Sequence, residues 1–188
     1  MNRSMSIMGL VILIALPCIA KGQAAQTVSI GASGGLSLPL GDVRNSAESG
    51  YTVAGHIFFK PALKDRLVFR GDVSYDRWGA KPAAGNNVLK ASLSSLGFVA
   101  NALVSFGSAK SSARPYLLAG LGLYRTNFSV AGSGAAFTSE SSDMGLQGGG
   151  GFAFSLKGMS TFVEAKYVSV FRNPTSWTYL PVTFGVRF

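Results

Sequence analysis

Apolar and polar residues alternate with a period of two along most of this chain, and the pattern is sharpest at its end. Between Tyr179 and Phe188, Leu180, Val182, Phe184, Val186 and Phe188 are apolar, while Pro181, Thr183, Gly185 and Arg187 are small, polar or charged. This is a strand with one greasy face. The same rule gives seven strands upstream. In the first, Val28 to Leu40, the positions Val28, Ile30, Ala32, Leu36 and Leu38 alternate with Ser29, Gly31, Ser33, Gly35 and Ser37. A turn-rich loop over 41–50 leads to strand two, which sets Tyr51, Val53, Gly55, Ile57 and Phe59 against Thr52, Ala54, His56 and Lys60. Strand three, Leu67 to about Trp78, carries Arg70, Asp72, Ser74 and Asp76 on one face and Phe69, Gly71, Val73 and Tyr75 on the other. Strands four to seven follow over 90–107, 114–128, 143–156 and 161–167. The longest connection, Ser129 to Ser142, is almost all Ser, Gly, Ala and Thr, and is expected to be a mobile loop.

Three charges on one face of strand three require an interior, since a charge on a lipid-facing position at mid-depth costs on the order of 2–4 kcal/mol. The strand count is even, and most strands reach the roughly 9 to 11 residues needed to cross hydrocarbon at a tilt. Connections at 61–66, 107–113 and 157–159 are short and most of the others longer. The pattern therefore predicts an all-β fold, an eight-stranded antiparallel up-and-down transmembrane β-barrel with both termini in the periplasm.

Composition sharpens this picture. Of 188 residues, 47% are apolar and only 13% charged, about half the charged share of a soluble domain. Beyond the first 20 residues no apolar run is long enough for a spanning helix. A barrel resolves the conflict, because its apolar residues come at every second position. Arg3, the apolar segment Ile7 to Ala20 and the small-x-small site Gly22-Gln23-Ala24 read as an export signal, with cleavage expected between Ala24 and Ala25. Residues 1–24 are then removed and 25–188 form the barrel. Pro17 stands before Cys18 where a lipoprotein signal would carry a small residue, so the only cysteine is expected to leave with the signal. The mature chain keeps a net charge of +7, because Arg3 and Lys21 go with the signal and no acidic residue does. Its basic residues are scattered singly, which points away from nucleic acid and toward lipid phosphate. One histidine and unclustered acids give no metal site, and no cofactor is expected.

The segments Arg114-Pro115-Tyr116-Leu117-Leu118-Ala119-Gly120, Gly148 to Phe154, Phe162 to Tyr167 and the terminal strand together resemble the small outer-membrane β-barrel domain of the OmpA/OmpX type. The resemblance covers essentially the whole mature chain. It implies that the barrel-assembly machinery reads the terminal strand, here through Tyr179, Val182, Phe184, Val186 and Phe188. It implies an architecture more than an activity, because this family includes adhesins and structural anchors.

Gly31-Ala32-Ser33-Gly34-Gly35 matches G-x-S-x-G, with Asp42 and His56 following in the order of a hydrolase. A nucleophile elbow needs a strand, a sharp turn and a helix. The alternation passes straight through Ser33, so the match is read as structural. Gly148 to Gly151 is followed by no Gly-Lys-Ser/Thr and is not a phosphate loop. The remaining inward polar groups, His56, Arg70, Asp72, Asp76, Glu164, Lys166 and Arg187, are expected to form a lumen network of paired charges. The expected role is structural or one of surface interaction, in a monomer without enzymatic activity and with its lumen filled by side chains. A narrow channel is the alternative, since the glycine-rich inner faces of strands five and six leave room for a water-filled gap. A lipid-modifying enzyme ranks third. Trp78 and Trp177 are placed at the membrane interface. Arg77, Lys81, Arg125 and Arg172 are placed against lipopolysaccharide phosphates.

Overall fold

The computed structural model describes residues 28–41, 43–61, 66–81, 90–107, 111–132, 135–156, 159–172 and 176–188. The export signal, Ala24, Ala25, Cys18 and Asp42 lie outside them. Eight strands form, β1 (Val28–Pro39), β2 (Gly50–Phe59), β3 (Leu67–Gly79), β4 (Lys90–Ser105), β5 (Ala113–Gly132), β6 (Ala135–Leu156), β7 (Met159–Val170) and β8 (Trp177–Arg187). Each pairs antiparallel with its sequence neighbour, and β8 pairs with β1, so the sheet closes into a barrel. The seam runs from Gly31↔Arg187 to Pro39↔Tyr179. Backbone bonds extend it at both ends, from Phe188 N to Ile30 O at 2.8 Å and from Leu40 N to Thr178 O at 3.0 Å. Closure leaves no sheet edge unpaired, which hydrocarbon requires.

Two expectations about connections are corrected. Most of the stretch read as the longest loop, 129–132 and 135–142, is instead paired strand, because β5 and β6 continue from Arg125↔Ser142 to Gly132↔Ala135. Its Ser, Thr, Gly and Ala residues carry no apolar face to reveal a period of two, yet ladder pairing needs only backbone groups. Arg125 pairs with Glu140 across this ribbon, and Asn127 donates to the same carboxylate at 3.3 Å. The stretch 41–50, read as loop, holds one helical turn, α1 (Val43–Ser46), after Gly41 at φ 58°. That turn buries Val43 and Ala47 in the barrel's end.

Alternation sorts the side chains as the period of two demands. Leu36, Ile57, Leu121, Leu123, Met144 and Phe184 all lie outside and exposed. Outward aromatics gather toward the two ends, with Tyr51 and Tyr75 in ring contact at one and Phe59 beside Phe69 at the other. Trp78 and Trp177 do not belong to such a girdle. Trp78 is 1% exposed inside the lumen, its ring 4.9 Å from Tyr179 and 5.7 Å from Trp177, and its Nε1 donates to Ser37 O at 3.1 Å. Its even number on β3 places it on the same face as Asp72 and Asp76, a parity that outweighs the usual place of tryptophan at an interface.

The lumen is layered. At the end carrying the β1–β2, β3–β4, β5–β6 and β7–β8 connections, Trp78, Leu93, Val99, Tyr124, Val168, Val170 and Tyr179 pack with α1 into an apolar plug. At the other end, with the termini, Phe58, Leu103, Tyr116, Leu118 and Phe162 form a second apolar layer. Polar side chains fill the space between. At several inner glycines the room is taken by an aromatic side chain of the neighbouring strand. A methyl group on Gly145 would stand 2.7 Å from the Tyr124 ring, and one on Gly151 would stand 2.8 Å from the Tyr116 hydroxyl. One on Gly185 would run into the ring of Phe162.

Gly185→Ala is accordingly expected to destabilise the barrel by about 1–3 kcal/mol through overpacking, measured by urea unfolding in lipid vesicles. Gly55→Ala is the control, since an added methyl there meets nothing within 4 Å and stability should hold.

Candidate functional site

Mid-lumen, one connected set of polar side chains links seven of the eight strands. Its centre is Arg70 on β3. Arg70 Nη1 donates to Glu164 Oε2 at 2.8 Å and Nη2 to Glu164 Oε1 at 2.9 Å, a fork-to-carboxylate pair that crosses to β7. Nη2 also donates to Asp72 Oδ2 at 2.9 Å. Nε lies 2.8 Å from Asp72 Oδ1 but is not aligned for a hydrogen bond, so that contact is purely ionic. Tyr116 on β5 donates to Glu164 Oε2 at 2.8 Å. Lys166 Nζ stands 3.5 Å from Glu164 and 3.9 Å from Asp72. Two cations thus face two carboxylates, all buried.

The set continues around the wall in both directions. Asn101 on β4 donates to Asp72 Oδ2 at 3.0 Å, Gln147 on β6 donates to Asn101 Oδ1, and Tyr124 reaches Gln147 at 3.4 Å. In the other direction, β2 pairs His56 directly opposite Asp72, with Nδ1 2.7 Å from Asp72 Oδ1. A carboxylate only accepts, so Nδ1 carries a proton, and in the neutral ring Nε2 accepts from Ser33 Oγ of β1 at 2.8 Å.

Of the seven residues expected in the network, His56, Arg70, Asp72, Glu164 and Lys166 are brought together. Asp76 is buried but stands in the next layer, opposite Thr52 of β2, and no ion pair joins it to the set among the described residues. Arg187 is not a member. It lies at the terminal end, where Nε donates to Ser29 Oγ at 2.6 Å and the guanidinium sits 4.6 Å over the Phe58 ring. Tyr179, grouped with the outward terminal-strand residues, points inward and is 1% exposed, because its odd number sets it opposite in parity to Val182, Phe184, Val186 and Phe188. Sequence reasoning left Ser33, Asn101, Tyr116, Tyr124 and Gln147 out of the network. All share the inward parity of their strands, and only the register between strands shows that they meet.

Ser33, His56 and Asp72 reproduce the distances of a nucleophilic triad, with Asp72 in the place that chain order had given to Asp42. What surrounds them differs from an acyl-transfer site. β1 is laddered on both sides across Ser33, to Ala54 and to Gly185, so its amides are committed to neighbouring strands rather than turned to an oxyanion. Asp72 is shared with Arg70 and Asn101, and His56 is enclosed by the rings of Phe58 and Phe162 at 5.9 and 5.6 Å. Among the described residues no group of three or more His, Cys, Asp and Glu side chains could hold a metal ion.

The architecture defines a class, the small eight-stranded transmembrane β-barrel of the outer-membrane type. Solved structures share it. Neisserial surface protein A aligns over 86% of this chain and 96% of its own, at 20% identity and a TM-score of 0.62. A major outer-membrane protein from Thermus thermophilus aligns over 86% and 99%, at 10% identity and a TM-score of 0.58. Ail, the attachment invasion locus protein of Yersinia pestis, in complex with the heparin analogue sucrose octasulfate, aligns over 86% and 97%, at 16% identity and a TM-score of 0.52. No family model and no curated protein sequence matches the chain. At these identities the likeness is one of fold.

Removing one partner leaves the other charge buried and unpaired, which costs about 3–5 kcal/mol. Glu164→Ala is therefore expected to lower the thermal midpoint of the folded barrel sharply. Ser33→Ala, which removes a neutral hydrogen bond, should cost about 1 kcal/mol. Equal midpoints for Glu164→Ala and the parent protein would show that the pair does not hold the barrel together.

Proposed function

We propose that this chain is an integral protein of the bacterial outer membrane, exported by its N-terminal signal, with both termini in the periplasm and a structural or surface-interaction role. The observation that carries this reading is a lumen closed by side chains through its middle and its loop end, inside an apolar exterior. The belt and the apolar plug occupy the interior, while the outward face is built for lipid. A continuous lipid-facing wall around the closed sheet supports a monomer. Long paired β5 and β6, extending beyond the apolar band, supply the surface that a partner would meet.

The outward residues Val182, Phe184, Val186 and Phe188 are the part of the terminal strand available to an assembly machinery, and Tyr179 is withdrawn from that set. Arg77 and Lys81 are exposed on the loop side and suit lipopolysaccharide phosphates. Arg125 is engaged by Glu140 and suits them less.

A channel would require the Arg70–Glu164 pair and the plug to open together, and the lumen packing favours the closed reading. A hydrolase is the second reading that a specific observation favours, namely the Ser33–His56–Asp72 distances. Three measurements separate these possibilities. The extracted protein should migrate differently with and without boiling and fractionate with the outer membrane; a heat-insensitive periplasmic protein would overturn the membrane assignment. In planar bilayers it should give no stable current of porin size. Folded protein should resist a small fluorophosphonate, whereas labelling lost in Ser33→Ala would move the function to acyl transfer.

A further inference from the structure

The layer at the terminal end does not fill the lumen. Beside the Phe58 and Phe162 rings, whose centroids are 6.4 Å apart, lies a cavity of about 60 Å³ lined by those rings, Leu103, Tyr116, Arg114 and Arg187, with Arg70 at its inner wall. No carboxylate lines it. Arg70 is neutralised by Glu164 and Asp72. Arg114 and Arg187 are not, since neither has an acid within ion-pair distance among the described residues. Arg187 spends its Nε on Ser29 and its face on Phe58, and neither Nη group donates to a described residue. Arg114 makes no hydrogen bond among the described residues, and it lines the same cavity as Arg187.

Everywhere else in the lumen, positive charge is matched. Two like charges facing one partly apolar cavity call for an anion, and the planar forks of arginine suit one with several oxygens in a fixed array. A phosphate group carries about −1.5 to −2 at neutral pH, which balances the pair where a carboxylate would leave one charge over. The space also fits: at about 10–15 Å³ for each water, the cavity holds about four to six water-sized atoms, a phosphate group and little more. We propose that the terminal-end mouth of the barrel is a phosphate-binding site held by Arg114 and Arg187, with Phe58, Leu103 and Phe162 receiving the first carbons of any organic stem. The phosphate comes either free or as the terminal monoester of a lipid of the phosphatidic acid kind, which keeps the second charge.

The test uses the folded full-length barrel in an uncharged detergent at low ionic strength, with the arginine Nε resonances followed by NMR. Titrating inorganic phosphate should shift the Arg114 and Arg187 signals saturably, and sodium chloride at matched ionic strength should not. Arg114→Gln removes a side chain with no hydrogen bond to lose, so it should leave heat-modifiable mobility unchanged while weakening phosphate about tenfold or more, the effect of losing charged hydrogen bonds. Arg187→Gln should weaken it similarly. Short-chain phosphatidic acid forms the second arm. Tighter binding than inorganic phosphate assigns the site to a lipid head with its stem on the rings, and equal binding assigns it to the free anion. Shifts that chloride reproduces, or that survive in Arg114→Gln, would overturn the proposal.

Discussion

The forked pair between Arg70 and Glu164 is the interaction on which the rest of this barrel depends. Both groups are buried within the membrane span, and either one left unpaired would cost about 3–5 kcal/mol, a large share of a typical protein's net stability. They come from strands 94 residues apart in sequence, so satisfying them fixes the separation of β3 and β7 across the lumen. Every other member of the belt follows from that requirement. Asp72 and Lys166 balance the charge, Tyr116 and Asn101 occupy remaining sites on the carboxylates, and His56 and Ser33 pass the hydrogen bonding back to β1. The apolar layers above and below restrict water at the belt, and a dry surrounding strengthens satisfied pairs as much as it penalises unsatisfied ones.

Such a belt fits only because the wall around it varies in thickness. Large inward rings are placed against glycine on neighbouring strands: Tyr124 over Gly97 and Gly145, Tyr116 over Gly151, Phe162 over Gly185 and Phe58 over Gly31. An eight-stranded barrel has little interior to spare, so a ring on one strand is accommodated by the absence of a side chain on the next. Glycine richness here marks occupied lumen rather than open lumen. At Gly145 and Gly151 of β6, the room that suggested a gap is taken by Tyr124 and Tyr116.

Most of the fold is legible in the sequence, because the period of two is a direct consequence of strand geometry and a lipid-facing wall enforces it at position after position. Where no lipid presses on the strand, as in the Ser- and Thr-rich ends of β5 and β6, the signal vanishes although the pairing does not. The site is legible only by halves. Parity shows that Asp72, Glu164 and Lys166 face inward, but not the depth at which each sits. Arg187 and Asp76 share the inward orientation and still lie outside the central set, one toward the termini and one toward the plug. Depth comes from register, which is set by how β2 and β3 pair and by the tilt of the whole sheet. Trp78 teaches the converse: residue type suggested a membrane interface, and strand parity overruled it.

Register also explains how a triad-like array can arise without chemistry. Ser33, His56 and Asp72 stand on three consecutive strands at similar depth: His56 is directly opposite Asp72, and Ser33 is the next inward position along β1 from Gly31, the residue opposite His56. Neighbouring strands are only about 4.8 Å apart, so inward polar side chains near one level hydrogen-bond in a row whatever their use. A histidine beside a carboxylate will then orient, and a serine beside the histidine will complete the row. Catalysis asks for more than this row, because oxyanion donors must come from backbone that is free of the ladder. A closed barrel commits its wall amides to neighbouring strands, since that is how it survives in lipid. The feature that makes this fold stable in a membrane thus removes from its mid-lumen wall the groups that would turn the Ser33–His56–Asp72 row into an active site, and leaves the mouths, where strands end, as the places where this chain can bind.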